Sequence, residues 1–338
     1  MSETYHSNTA REILQAQVGV IIPLYMGAGT EPERARDLAA DNVAAYVDTI
    51  RDPRNICIAV DGEDCGGDIG REIAEKFGTS VAVCPKNLGK LQALRAGIGE
   101  LRNPQLKWIA CVDQDGDHFA NELLNLLRGA LHMRANCERI LVIGGRSSRH
   151  RPMGFLRGEL EDMADRVLLD AMHYHAAQTG RPLRLEYSST LEEFPDFHSG
   201  YKLFCRATAD AIAHAEPVTC AESADCYYRH AVEAVLTIEA LLAGATLGSV
   251  NRSTFNEQPI SAFGQLRRTQ LVADKVIWPC KRLGIPGHFV LQWVDNHLPR
   301  LLLGTLVPTG AEELATIRRL IAEAFGLPHS DAGRPLFL

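Results

Sequence analysis

Five short apolar runs alternate with stretches of helical periodicity along residues 18–144. The runs lie at 18–24, 55–60, 80–84, 107–112 and 140–144, and helical stretches at 33–49, 69–77, 90–101 and 121–133 separate them. A strand that is apolar along its whole length is buried on both faces, which is typical of parallel sheets covered by helices. The alternation therefore predicts an α/β protein with a Rossmann-like, mostly parallel sheet and helices on both faces.

The rhythm of the sequence changes after residue 145. Helices are predicted at 155–178, 207–215 and 222–233, a loop-rich segment at 188–201, and a late strand at 246–250. Beyond residue 257 the chain is predicted to be helical, with prolines marking the helix boundaries. We therefore divide the 338 residues into a polar N-terminal segment (1–17), an α/β domain (18–256) and a helical C-terminal extension (257–338).

The formal net charge of the chain is −7, from 35 basic and 42 acidic residues. A protein that binds nucleic acid through a broad surface is basic, so this class of function is excluded. Nine cysteines without a C-x-x-C pair, several of them in apolar runs, indicate buried free thiols in a reducing compartment. The first 17 residues lack the apolar core of a signal peptide, and no stretch predicts a transmembrane segment. We therefore expect a cytoplasmic protein.

Three carboxylates follow the fourth predicted strand at alternate positions, as Asp113, Asp115 and Asp117. A divalent cation relieves their mutual repulsion, and hard oxygen ligands suit Mg²⁺ or Mn²⁺. A calcium EF-hand is excluded, because its loop needs Gly and Glu at the sixth and twelfth positions, which are here His118 and Leu124. An acidic turn that caps the following helix is the alternative to a metal site.

Two glycine-containing segments match known phosphate-binding loops only in part. The segment 27–29 would need a third Gly at position 32, where Pro32 stands, to complete a dinucleotide fingerprint. The segment 87–90 would need Ser or Thr in place of Leu91, and an earlier Gly in place of Cys84, to complete a P-loop. Asp61, directly after the second strand, suits a hydrogen bond to a nucleobase or ribose, and a turn or helix-cap role is the alternative.

Taken in order, these segments resemble the motifs of GT-A glycosyltransferases, most closely those of family 2. The segments that carry the resemblance are Pro23-Leu24-Tyr25, Val60-Asp61-Gly62, Asn87-Leu88-Gly89-Lys90 with Ala93-Leu94, Val112-Asp113-Gln114-Asp115, and Ser199-Gly200-Tyr201-Lys202-Leu203-Phe204-Cys205-Arg206. The resemblance covers about residues 18–235. It implies a GT-A domain over 18–256 that takes a nucleotide-sugar donor.

The resemblance also implies a role for each matched residue. The donor-binding residues would be Pro23, Leu24, Tyr25 and Asp61 at the nucleobase, Asn87 and Lys90 near the nucleotide, Asp113 at the ribose or sugar, and Gly200 in the segment before the acceptor-side helix. Asp115 would be the direct metal ligand, and Asp117 would join the metal's shell through water.

The sequence departs from the family 2 pattern where many members carry a Glu-Asp pair seven residues before an Arg. Glu222 and Arg229 keep that spacing, but Ser223 occupies the position of the base. Glu222 and Asp225 are the nearest candidates for the catalytic base, and placement at a helix N-terminus by the helix dipole is the alternative.

Retaining GT-A enzymes that resemble mannosylglycerate synthase lack a dedicated base and often use a late histidine as a metal ligand. His198 is the candidate for that ligand, with a polar loop position as the alternative. The segment 145–151 contains three arginines, which would hold an anionic acceptor or the diphosphate, or would form a solvated loop.

The resemblance and the charge distribution together predict a metal-dependent glycosyltransferase of the hexosyltransferase class. It would move a sugar from a nucleotide-diphosphate sugar, UDP rather than GDP, to a hydroxyl of an unknown small-molecule, glycan or lipid-linked acceptor. A divalent Mn²⁺ or Mg²⁺ would offset the electrostatic repulsion between the anionic donor and the acidic loop. The alternatives are a sugar-nucleotide nucleotidyltransferase and a non-catalytic nucleotide-sugar binding module. The apolar stretches 289–306 and 314–325 would pack on the catalytic domain or form a homodimer.

Overall fold

The computed structural model of the protein describes residues 7–27, 29–148, 154–188, 194–217, 224–255 and 268–328. Within these ranges the strands are β1 (Val18–Leu24), β2 (Ile56–Val60), β3 (Ser80–Val83), β4 (Trp108–Cys111), β5 (Ile140–Arg146), β6 (Lys202–Cys205) and β7 (Thr246–Arg252). They form one sheet in the order β3-β2-β1-β4-β6-β5-β7. Only β6 runs antiparallel to its neighbours, β4 and β5. The predicted mostly parallel α/β sheet is therefore confirmed.

Helices connect and follow the strands along the described ranges. They are α1 (Ser7–Gln17), α2 (Pro32–Val47), α3 (Gly67–Phe77), α4 (Lys90–Glu100), α5 (Leu123–Arg134), α6 (Phe155–Thr179), α7 (Arg206–Ala213), α8 (Val232–Leu242), α9 (Arg268–Arg282), α10 (Gly287–His297), α11 (Leu303–Leu306) and α12 (Gly310–Ala324). A π-helical turn, Cys226–His230, leads into α8. Such turns are rare and frequently lie at functional sites.

The sheet has one hydrophobic core on each face. In β1, Ile21 belongs to the core that contains α4, α6 and α8, whereas Val20 and Ile22 belong to the opposite core with α2 and α5. Successive side chains of a strand point to opposite faces, so a strand that is apolar throughout supplies both cores. This is the physical origin of the continuous apolar runs in the sequence.

The C-terminal helices pack into the first of these two cores. Trp278 of α9 and Ile317 and Ile321 of α12 are at most 1% exposed and join the cluster that covers the sheet. The predicted boundary between residues 256 and 257 lies outside the described residues. Part of the apolar surface predicted to meet a partner chain is thus buried within the chain itself.

A few apolar side chains of the C-terminal helices are exposed, namely Phe289, Leu302 and Leu306. The homodimer through these helices stays a prediction. Among the described helices, none has both the length and the apolar character needed to cross a membrane.

Two elements differ from the sequence prediction. Residues 7–17, predicted as part of a polar segment, form α1, whose Ala10 and Leu14 lie one helical turn apart and are buried. Strand β6 was not predicted and lies between the predicted loop-rich segment 188–201 and the predicted helix 207–215, because it is only four residues long and begins with Lys202. The Lys202 ammonium is fully buried and donates to the carbonyl oxygen of Phe197 at 3.0 Å. This hydrogen bond offsets part of the free-energy cost of burying a charged lysine inside the sheet.

Candidate active site at the carboxyl ends of the strands

The order of the sheet places the predicted site residues together. The chain leaves β1 toward β2 and β3 on one side and continues with β4 on the other side of β1. Ligands of open parallel sheets bind beyond the carboxyl ends of the strands at such a reversal. Tyr25, Asp61 and the segment 113–117 follow β1, β2 and β4 at this edge.

Asp61 positions the loop that follows β3. Its backbone N–H donates to the carbonyl oxygen of Leu24, and its Oδ1 accepts from the N–H groups of Leu88 and Gly89, all at 2.9 Å. Its Oδ2 makes no hydrogen bond with the described residues. Asp61 therefore acts as a turn residue through one oxygen and leaves the other for a ligand.

The loop 87–89 is held from its other side by the π-helical turn. Gly89 has φ 107°, and a Cβ there would overlap the carbonyl group of Tyr228, so this approach requires glycine. The guanidinium of Arg229 donates to the Asn87 side-chain oxygen and, at 2.7 Å, to its carbonyl oxygen. Asn87, predicted to lie near the nucleotide, is thus engaged by Arg229.

Lys90, the first residue of α4, joins two carboxylates from distant parts of the chain. Its Nζ donates to Asp113 Oδ1 at 2.6 Å and to Glu233 Oε1 at 2.7 Å. Burial by itself lowers the pKa of the Lys90 ammonium, but the charges of Asp113 and Glu233 outweigh burial and hold that pKa above its usual value. Although burial raises the pKa of Asp113, the Lys90 charge holds it well below its usual range. All three groups are therefore ionised at neutral pH.

The backbone of Asp113 is fixed on both sides. Its N–H donates to His118 Nδ1 at 2.8 Å, and its carbonyl oxygen accepts from Asn42 Nδ2 at 2.9 Å. Burial first, and the charge of Arg252 second, lower the pKa of His118 well below its usual value, so the ring is neutral and Nδ1 can accept. At Gly200, a Cβ would collide with Asp113 Oδ2, so the predicted glycine is needed for this close approach.

Asp115 lies in the same loop and is 8% exposed. Its Oδ1 accepts from the N–H of Asp117 at 3.1 Å, and Oδ2 makes no hydrogen bond within the described part of the chain. Burial and the neighbouring Asp113 charge raise its pKa to about 7. A buried carboxylate beside a second carboxylate is the donor set that a divalent cation stabilises, so the residues fit Mg²⁺ or Mn²⁺.

Asp117 is occupied within the protein. Its Oδ2 lies 3.0 Å from the guanidinium of Arg252, and its Oδ1 accepts from the N–H of Phe255 at 2.6 Å. Both groups of this ion pair are buried. The predicted outer-shell metal residue thus connects the loop after β4 with the segment after β7.

His198, the predicted late metal ligand, is buried beside an aspartate of α6. Its Nδ1 lies 2.6 Å from Asp165 Oδ1, and its Nε2 has no hydrogen-bond partner among the described residues. In the described ranges no three His, Cys, Asp or Glu side chains form a group that could hold a metal ion. Asp115, Asp117 and His198 are therefore not assembled as one ligand set in this structure.

Of the two predicted catalytic carboxylates, Glu222 and Asp225, the structure describes only Asp225. Glu222 lies outside the described residues. The Asp225 side chain is 78% exposed and lies 3.1 Å from the Arg229 guanidinium. The carboxylate that contacts Lys90 from this part of the chain is Glu233, which was not predicted as a site residue. The sequence feature that could have identified Glu233 is a carboxylate within the otherwise apolar start of α8.

The end of β1 forms the rim of the site. Pro23 and Leu24, predicted to line the nucleobase pocket, are buried in the strand, whereas the Tyr25 side chain is exposed. The Gln114 amide forms two hydrogen bonds with the Tyr25 backbone, accepting from its N–H at 2.7 Å and donating to its carbonyl oxygen at 3.0 Å. Gln114, also not selected from the sequence, thereby extends the pairing of β1 and β4 beyond the strands.

Comparison with known proteins gave matches among solved structures only. No family model matches the chain, and no curated protein matches its sequence. Glucosyl-3-phosphoglycerate synthase from Mycobacterium tuberculosis, in complex with phosphoglyceric acid, is similar with a TM-score of 0.52 and 14% identity, over 85% of this chain and 87% of that chain. The same enzyme with Mn²⁺, UDP-glucose and phosphoglyceric acid gives a TM-score of 0.51 and 15% identity, over 85% and 86%.

A crystal structure described only as a mycobacterial protein is similar with a TM-score of 0.54 and 16% identity, over 85% of this chain and 81% of that chain. At these identities the similarity concerns the fold. The chain has the GT-A fold of these structures, so the fold class predicted from the strand-end motifs is confirmed.

Proposed function

We propose that this protein is a metal-dependent glycosyltransferase that moves a sugar from a nucleoside diphosphate sugar, with UDP preferred to GDP, to a hydroxyl acceptor. The observation that carries the proposal is the ion cluster of Lys90, Asp113 and Glu233 beside Asp115, at the carboxyl ends of the strands. Structures with the same fold hold Mn²⁺ and UDP-glucose, which supports this choice of donor and metal.

Asp115 would hold the divalent cation, with the nearby Asp113 adding negative charge. When bound, the cation offsets the charge of the donor diphosphate and stabilises it as a leaving group. The raised pKa of Asp115 indicates that the protein supplies too little positive charge here by itself. This is why an acidic loop and an anionic donor can share one site only with a cation between them.

The side chains around the cation would orient the donor. The Asp113 and Glu233 side chains are 30% and 18% exposed, and each keeps an oxygen that can accept from a sugar hydroxyl. Lys90 fixes both carboxylates in place, since one ammonium bonds to both. At the other end of the site, the exposed Tyr25 ring offers a flat surface for a nucleobase.

The donor preference can be tested by thermal unfolding. We expect UDP with Mn²⁺ to stabilise the protein, because a ligand that binds only the folded state adds about 2.7 kcal/mol at 100 times its Kd. A chelator should remove the effect, and GDP should give a smaller one. Failure of UDP with Mn²⁺ to raise the unfolding temperature would contradict the proposal.

Product analysis separates the three classes of function. A glycosyltransferase releases UDP from a UDP-sugar when an acceptor is present. A nucleotidyltransferase instead releases diphosphate from UTP and a sugar 1-phosphate, and a binding module releases neither. The proposal requires the first product, measured under the metal conditions that give stabilisation.

Gln114→Ala tests the nucleobase end of the site. The substitution removes both hydrogen bonds to the Tyr25 backbone, each worth about 1 kcal/mol. We expect the affinity for UDP to fall about tenfold, since about 1.4 kcal/mol corresponds to a factor of ten. Isothermal titration calorimetry with UDP and Mn²⁺ measures the change.

The matched control is Gln105→Ala, at an exposed glutamine in the loop before β4. Inorganic diphosphate with Mn²⁺ provides a second control, because it lacks the nucleobase. Equal losses of UDP and diphosphate affinity in Gln114→Ala would show that Gln114 does not act through Tyr25.

A further inference from the structure

A cavity opens on the opposite side of the sheet from the candidate active site, at the amino end of β4. It has a volume of about 480 Å³ and lies around the amino end of β4 and the end of the antiparallel β6. Its charged lining consists of Arg102, Lys107, Arg134, Arg206, Glu138 and Asp210. The length of the four-residue β4, about 13 Å, separates this cavity from the proposed donor site.

Three of the four cations that line this cavity have no carboxylate partner among the described residues. Arg206 is paired with Asp210 at 2.8 Å. Arg102, Lys107 and Arg134 form no ion pair with any carboxylate of the described ranges, and the first two donate only to nearby backbone carbonyl groups. Four cations and two carboxylates leave the lining with a net charge of +2, on a chain whose net charge is −7.

The backbone adds to this positive potential. Helix α7 starts at the cavity, where its first two residues, Arg206 and Ala207, form part of the lining. The N-cap residue, Cys205, makes no side-chain hydrogen bond to the helix N–H groups. The N–H of Arg206 donates to the carbonyl oxygen of Lys107 at 2.8 Å, and the dipole of the helix favours an anion at this end.

One arginine of the cavity is held in place by an aromatic ring. The guanidinium of Arg134 lies 5.6 Å from the centroid of the buried Trp108 ring. A guanidinium that lies over an aromatic ring keeps N–H groups that can form paired hydrogen bonds to a phosphate or carboxylate. A cation fixed in this way loses less conformational entropy on binding than a mobile surface side chain.

We propose that this cavity binds a small anion with two or more phosphate or carboxylate groups. Its volume is within the range of small-molecule sites and too small for a groove that tracks a nucleic acid. Three cations without carboxylate partners and one helix N-terminus converge on it, which suits several negative groups on one molecule. The site is separate from the proposed donor site and does not depend on the proposed function.

The test uses inorganic diphosphate and the full chain in a metal-free buffer with a chelator. Calorimetric titration should show saturable binding to the wild-type protein. The double variant Lys107→Gln/Arg134→Gln should bind at least about tenfold more weakly, because charge-assisted hydrogen bonds to phosphate are lost. The matched control, Lys76→Gln/Arg319→Gln, removes the same charge at exposed positions elsewhere and should bind like the wild type.

The Trp108 indole gives a local signal, because it packs under Arg134. Its N–H resonance should shift when diphosphate is added to the wild type and stay unchanged in the double variant, with both proteins showing native unfolding temperatures. Absence of saturable binding would overturn the proposal. Binding that persists in the double variant, without a change at Trp108, would place the anion elsewhere and would also overturn it.

Discussion

Replacing Asp115 by alanine is expected to lower the rate of sugar transfer by about a thousandfold, the upper range for loss of one electrostatic stabiliser of a leaving group. Within the loop after β4, Asp115 is the buried carboxylate with an oxygen that no described residue engages, so it is the proposed metal ligand. The variant should also lose the Mn²⁺-dependent stabilisation by UDP. Initial rates of UDP release and thermal unfolding measure the two effects.

Asp115→Asn separates the charge from the shape of the side chain, because the amide oxygen can still accept from the N–H of Asp117. Activity should fall as in the alanine variant. The metal-free protein should nevertheless become more stable, because the pKa of Asp115 rises from 3.8 in the unfolded chain to about 7 in the folded chain. Ionisation of the wild-type group therefore costs stability as the pH rises.

The sign of this effect sets the pH window. Below the unfolded pKa the wild-type group is protonated in both states, and the advantage of asparagine is small. It grows as the pH rises from about 4 to about 7 and is constant above. Chemical denaturation in the presence of a chelator measures it. The exposed Asp68→Asn serves as control and should show no such trend. Full transfer activity in Asp115→Asn would refute the site assignment.

Arg146→Met is expected to destabilise the protein by about 3–5 kcal/mol, the typical cost of removing one partner from a buried ion pair. The Arg146 guanidinium lies 2.6 Å from Asp196 Oδ1 and 2.9 Å from Glu161 Oε2. Glu161 in turn lies 2.6 Å from the ammonium of Lys275 on α9. Loss of the arginine would remove a direct ion-pair partner from two buried carboxylates, Asp196 and Glu161, so the C-terminal extension would lose part of its anchor to β5.

Equilibrium unfolding in urea measures this change. Arg319→Met makes the same substitution on an exposed α12 pair with Glu323, and should change stability by less than about 0.5 kcal/mol. A small effect at Arg146 would mean that water replaces the guanidinium. The network also corrects the sequence interpretation of the arginine-rich segment 145–151. Arg146 is used within the protein, and Arg149 and Arg151 lie outside the described residues.

The elements with continuous apolar runs could be predicted, because a strand that is buried on both faces needs apolar side chains at successive positions. The strands β1, β2 and β5 begin within one residue of their predicted positions. Strand β6 was missed, since its four residues begin with a lysine that is buried only because backbone carbonyl groups receive its ammonium. Helix α1 was missed because only two of its described residues, Ala10 and Leu14, are buried apolar residues.

The candidate site was predictable where it follows strand ends. Asp61, Asp113 and Asp115 lie on the same side of the sheet because parallel strands have their carboxyl ends on one side. The partners of these side chains were not predictable. Lys90 and Glu233 are 143 residues apart in sequence. They meet because the π-helical turn that leads into α8 packs against α4.

The sequence alone determined the alternating α/β architecture, the sheet edge that carries the site, and the acidic character of the loop after β4. These are properties of local patterns, namely hydrophobic periodicity and the residues next to each strand. The tertiary structure decided which carboxylate is neutralised by a lysine, which by an arginine, and which is left to a ligand. Within five residues, Asp113 is neutralised by Lys90, Asp117 is neutralised by Arg252, and Asp115 is left to a ligand. Their difference arises from Lys90 and Arg252, whose distances from them are set by helix and strand packing and not by sequence spacing.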